Sequence, residues 1–176
     1  MSIAFPKSGV DTSAELPLPI VAQVLHWLTA ALVLALFATG VIMKQLGQGP
    51  IADLLHLCHK TTGALLLCLV LARIGYRLFA HLSGRWRKGA ASRPVHALLY
   101  IALLIVPLLG WAGASGFGSR QLLFGLSLPE IWSEEAGRAD LLLTSHAWLA
   151  FGLIALVVTH IGVAIGDYLT QDAKAD

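Results

Sequence analysis

Charged side chains are few in this sequence. Asp, Glu, Lys and Arg make up 12 % of the 176 residues, while 57 % are hydrophobic and mean hydropathy is +0.76. A soluble domain carries about 25 % charged residues. The balance excludes an ordinary soluble domain and predicts one domain-sized membrane unit. The net charge of +2 with neutral histidine is too small a bias to support a nucleic-acid partner. Cysteine is scarce as well. Cys58 and Cys68 fall in one apolar run, about 15 Å apart along a helix, which no disulfide spans. No CxxCH occurs, so covalent c-type haem attachment is not supported, and no CxxC zinc pair occurs either. Both cysteines read as small packing residues. Carboxylates are missing from the interior of the long apolar runs, with Asp53, Asp140 and Asp167 all at edges. That counts against a metal or proton transporter. The segment Met1–Pro19 holds Pro6, Pro17 and Pro19 and lacks the charged start and apolar stretch of a cleavable signal.

Long apolar runs are what remains. Four are long enough to cross a bilayer, at about 20–43, 54–79, 94–115 and 141–168. Pro94 suits a helix start, and Pro107 predicts a kink inside the third span. The connection 122–140 is mixed, and its Leu123–Pro129 stretch is too short to span and suits the interface. The expected architecture is all-α: an integral-membrane, antiparallel four-helix bundle over residues 20–168, between an N-terminal segment 1–19 and a tail 169–176. Arg73, Arg77, Arg85, Arg87, Lys88 and Arg93 surround the loop between the second and third spans. By the positive-inside rule that loop is cytoplasmic, and both termini with it. Trp27, Trp86, Trp111, Trp132 and Trp148 fall mostly near the expected interfaces.

Histidine placement carries the chemistry. His146 and His160 lie fourteen residues apart in one run, so their side chains share a helix face about 21 Å apart along the axis. That is about two-thirds of a ~30 Å bilayer core. On the expected topology His26 matches His160 in depth near the cytoplasmic side, and His59 matches His146 near the periplasmic side. Facing helices of a bundle build cofactor sites from such pairs. Two neutral imidazoles on opposite faces of a porphyrin give six-coordinate iron suited to electron transfer. The reading is two haems, each between two histidines. Gly40, Gly63, Ala64, Ala147 and Gly152 offer room for a flat ring. His56 competes with His59 but sits one turn nearer the water. His81 reads as an exposed loop residue. His96 opens the third span, where an interfacial role competes with a hydrogen bond to a propionate or quinone. Arg73, fourteen residues after His59, is a candidate partner for a propionate of the cytoplasmic haem, against a snorkelling role. Lys60 is the periplasmic counterpart.

The ordered motifs along the chain resemble the bacterial cytochrome b561 family of small inner-membrane dihaem cytochromes. They are Leu25-His26-Trp27, then His59-Lys60-Thr61-Thr62-Gly63 with Arg73, then His96-Ala97-Leu98-Leu99-Tyr100 and Pro107-Leu108-Leu109-Gly110-Trp111. Phe124-Gly125, Leu128-Pro129 and Ser145-His146-Ala147-Trp148 with His160 complete the set. The resemblance implies four antiparallel helices holding two non-covalent haems b, with His26 and His160 as one ligand pair and His59 and His146 as the other. It implies a bacterial inner-membrane location and electron exchange with ubiquinone or another quinone. One family member is described as a superoxide oxidase. The chain departs from many relatives after His160, where a further His-His pair is replaced by a stretch ending Gly166-Asp167-Tyr168.

The expected function is transmembrane electron transfer between a periplasmic donor, superoxide among the candidates, and ubiquinone. Lys44, Lys60, Arg120 and Arg138 are candidates for steering such an anion, opposed by Glu130, Glu134, Glu135 and Asp140. A haem-bearing anchor for a larger dehydrogenase or hydrogenase is the alternative with a redox protein partner. A non-haem metal or proton transporter is the third.

Overall fold

The computed structural model describes residues 20–83 and 94–172. The expected N-terminal segment, Trp86, four of the loop cations (Arg85, Arg87, Lys88 and Arg93) and the last residues of the tail lie outside the described residues. Four helices follow one another: α1 (Ile20–Leu46), α2 (Pro50–Leu82), α3 (Pro94–Gly116) and α4 (Ala136–Asp172). All four are long and apolar enough to cross a membrane. In hydrocarbon a helix satisfies its backbone groups internally, which is why such runs take this form. Their outward faces carry exposed Val24, Leu34, Leu65, Ile101 and Val158, as a lipid-facing surface requires.

The helices extend beyond the expected spans. α2 begins at Pro50 rather than Leu54, because Pro fits the first helical turn where its missing N–H costs nothing. α1 and α2 are joined by a tight turn in which Gly47 and Gly49 have φ of +71° and +130°, conformations open to glycine. α4 begins at Ala136, one turn before the apolar run. His81 belongs to the last turn of α2 rather than to a loop, and is exposed there. α3 continues through Pro107 without a break in the helix.

We call the end with the α1–α2 turn and the α3–α4 connection the upper end, and the end with the α2–α3 connection the lower end. Among the described residues consecutive helices pack on one another, α3 on α4 most closely, whereas α4 makes no comparable approach to α1 or α2. The α3–α4 seam is built from small residues. A Cβ on Gly113 would stand 2.6 Å from the side chain of Leu143, and one on Gly116 would stand 2.9 Å from Cβ of Ala139. Small residues let membrane helices approach closely. At mid-height an apolar layer of Val33, Leu36, Leu66, Val70, Leu103 and Leu153 fills the bundle.

The α3–α4 connection is strapped across the upper end. It contains a short 3-10 turn, Leu123–Gly125. Thr61 Oγ1 accepts a hydrogen bond from the Leu123 amide at 2.9 Å, and Ser115 Oγ accepts one from the Ile131 amide at 3.0 Å. Trp111 Nε1 donates to the Pro129 carbonyl at 2.9 Å. Trp27 and Trp148 instead face outward.

Overpacking a close seam costs roughly 1–3 kcal/mol. Gly113→Val is therefore expected to lower the thermal unfolding midpoint in detergent. Gly166→Ala, where no neighbour lies within 4 Å, should leave it unchanged or slightly raised. Equal midpoints for Gly113→Val and the unsubstituted protein would show that the seam does not hold α3 on α4.

Candidate functional site

Two histidine pairs face each other across the gap between α4 and its non-neighbours. At the upper level His59 of α2 and His146 of α4 have ring centres 6.1 Å apart and planes at 85°. At the lower level His26 of α1 and His160 of α4 have ring centres 6.3 Å apart and planes at 68°. Two imidazoles flanking one metal ion with bonds of about 2 Å place their ring centres roughly 6.3 Å apart. Both pairs have that separation.

The upper imidazoles are also oriented. His146 Nδ1 lies 2.8 Å from the Val106 carbonyl oxygen, which only accepts, so Nδ1 carries the proton and Nε2 keeps its lone pair. His59 Nδ1 lies 3.2 Å from Thr39 Oγ1. The Thr39 hydroxyl donates to the carbonyls of Ala35 and Leu36 at 2.9 and 3.0 Å, so it accepts from His59. A hydrogen bond on one ring nitrogen fixes the tautomer and prepares the other to ligate. Close approach makes these bonds feasible. A Cβ on Gly110 would lie 3.1 Å from the His146 ring, and one on Gly40 would lie 3.4 Å from His59.

A cavity of about 1460 Å³ surrounds this pair and draws lining residues from all four helices. It exceeds the ~300–1,000 Å³ of ordinary ligand pockets. Gly40, Gly63, Ala64 and Ala147 line it. Gly152 does not: it is exposed and has no neighbour within 4 Å, because it points to the outer face of α4. His56 lines the cavity one turn above His59, together with Lys44, Asp53 and Asp140. The steering cations expected here are largely engaged. Arg120 pairs with Glu130 at 3.4 Å, Arg138 pairs with Glu135, and Lys60 Nζ donates to the carbonyl and hydroxyl of Ser119 at 2.9 Å each.

At the lower level His96 meets His160 edge-on with ring centres 4.9 Å apart, too close for the two to flank one metal. A second cavity of about 190 Å³ is lined by Val95, His96, His160, Val163, Ala164 and Asp167. The guanidinium carbon of Arg73 lies 5.5 Å from the centre of the Tyr100 ring.

Among the described residues no group of three or more His, Cys, Asp or Glu converges as a metal site. A protein-only site takes about four donors. Each pair would supply two imidazoles, a donor set that fits a planar ring bringing its own nitrogens. Thr39 and the Val106 carbonyl escape a reading by motif, and the motif that holds Gly110 does not give its role, because each acts on a histidine of another helix. Their signal is spacing. Gly40 and Gly110 sit fourteen residues after His26 and His96, hence on the same helix faces.

The profile of a family described as prokaryotic cytochrome b561 matches residues 18–172. The chain is also similar to cytochrome b561 homolog 2 of Escherichia coli (strain K12), at 27 % identity over 149 residues. That match covers 80 % of this chain and 79 % of the relative.

The steric role of Gly110 is testable. Gly110→Val is expected to drive the His146 ring from its place and to lower haem content per purified chain. Gly75→Val, at a position with no neighbour within 4 Å, should keep it. Equal haem content in the two variants would remove Gly110 from the site.

Proposed function

The chain belongs to the prokaryotic cytochrome b561 family, and from that premise we propose that it is a dihaem membrane cytochrome carrying electrons across a bacterial inner membrane. In this reading the donor is periplasmic, superoxide among the candidates, and the acceptor is ubiquinone or another quinone. His59 and His146 hold one haem b, and His26 and His160 hold the other. The lower end, with both termini, faces the cytoplasm, as the excess of Arg and Lys around the α2–α3 connection supports.

One observation carries the reading: two imidazole pairs, at 6.1 and 6.3 Å, share α4 with fourteen residues between their members on that helix. Bound haem supplies one-electron chemistry, and the protein supplies spacing, orientation and access. Thr39 and the Val106 carbonyl engage the upper imidazoles at Nδ1, which leaves Nε2 to ligate. Val33, Leu66, Leu103 and Leu153 keep water from the layer between the two levels. The cavity beside His160 suits the polar head of a quinone, with His96 and Asp167 as hydrogen-bonding groups. Arg120 and Arg138 are paired with carboxylates, so any steering of a superoxide donor would fall to Lys44 and Lys60, which line the upper cavity.

His146→Ala is expected to lower haem from two per chain to one and to leave a low-spin b-type spectrum from the lower site. Retention of both haems, measured by haem quantification and a reduced-minus-oxidised spectrum, would show the pairing to be wrong. His96→Phe is expected to slow reoxidation of the reduced protein by a short-chain ubiquinone about tenfold at unchanged haem content. An unchanged rate in stopped-flow measurements would move the quinone away from His96.

A further inference from the structure

Arg77 lies one turn beyond Arg73 on α2, and both reach the same ring on α3. The guanidinium carbons of Arg73 and Arg77 stand 5.5 and 5.2 Å from the centre of Tyr100. Arg77 Nη1 also donates to the Tyr100 hydroxyl at 2.9 Å. All three residues are half-buried. Tyr100 lies one turn after His96 on α3, and His96 meets His160 at 4.9 Å, so the two arginines gather at the level of the lower imidazole pair. Guanidinium is the side chain that best matches a carboxylate, through two parallel hydrogen bonds.

We propose that Arg73, Arg77 and Tyr100 form a carboxylate clamp for the two propionates of the lower haem, with Tyr100 as the positioning residue that aims both arginines. This rests on the dihaem reading and extends it to two residues, Arg77 and Tyr100, that touch no iron. The ring attracts both cations through its face, and its hydroxyl accepts from Arg77, so the guanidiniums are preorganised before the carboxylates arrive. The clamp then acts on the iron through charge. A cation held beside a haem favours the reduced state, because reduction adds an electron there.

Redox titration of the purified holoprotein tests this. The two haem waves are assigned with His146→Ala, which retains only the lower one. Arg77→Gln is expected to lower the midpoint of the lower wave by about a tenfold change in the reduction equilibrium, about 59 mV for one electron. Arg77→Lys should largely restore it. Tyr100→Phe, a milder change that keeps the ring, should shift the same wave in the same direction by less. The upper wave should stay in place in all three. An unmoved lower wave, or a shift in the upper wave instead, overturns the clamp while the two-haem reading stands. Loss of bound anionic lipid in Arg77→Gln with both midpoints unchanged would assign the arginines to a lipid phosphate, and overturns it too. Absence of haem from the unsubstituted protein would overturn the dihaem reading itself.

Discussion

The separation between facing imidazoles is the constraint on which the rest of the bundle depends. Ring centres 6.1 and 6.3 Å apart require α4 to stand off from both α1 and α2 at two heights. A bundle held together only by apolar burial would close that gap. Here α4 is held by its other neighbour. The seam of Gly110, Gly113 and Gly116 draws α3 against α4, so the bundle keeps α4 without packing it on the helices that oppose its histidines. The closest packing and the widest opening in the structure are therefore linked: small residues on one flank of α4 permit a large cavity on the other.

The same constraint appears as a register shared by all four helices. Seven-residue steps connect His26, Val33 and Gly40 on α1, and His59, Leu66 and Arg73 on α2. They also connect His96, Leu103 and Gly110 on α3, and His146, Leu153 and His160 on α4. Seven residues are nearly two turns, so each triplet stays on one inward face. The middle members form part of the buried apolar layer. The upper level then carries two histidines and two glycines, each glycine against the ring of a histidine. The lower level carries three histidines and an arginine. Glycine at the upper level makes space for rings. Cationic and polar groups at the lower level make an environment for charge.

Much of this was legible in the sequence, and the limits of what was legible have physical causes. Long apolar runs give spanning helices because hydrocarbon leaves the backbone no other partner. The histidines stand out because polar groups in such runs are costly and few. Helix ends were less legible. Pro50 extends α2 upward and Ala136 starts α4 a turn early, since polar residues continue a helix once it leaves the apolar layer. The expected small-residue set was right in chemistry but blind to azimuth: Gly40, Gly63, Ala64 and Ala147 line the upper cavity, while Gly152 faces outward. Thr39, the Val106 carbonyl and the role of Gly110 were hidden because their partners are on other helices, and no local pattern records a contact between helices. Tyr100 could be seen as part of a motif, but its link to Arg77 depends on how α2 meets α3.

The two ends of the bundle differ in a way that bears on direction. At the upper end the α3–α4 connection is fastened to α2 at consecutive residues, Lys60 through Ser119 and Thr61 through Leu123. These follow His59 directly in the chain. A partner reaching the upper site meets this connection first, and a displacement of it acts on the turn of helix that carries the histidine. At the lower end the cavity beside His160 is small and lies between α3 and α4 rather than beneath a strap. Its lining pairs apolar Val95, Val163 and Ala164 with polar His96 and Asp167, a combination that favours an amphipathic head arriving from the lipid. The upper site thus lies beneath the α3–α4 connection, whereas the lower cavity opens between two helices. That asymmetry gives the proposed electron path its two distinct ends.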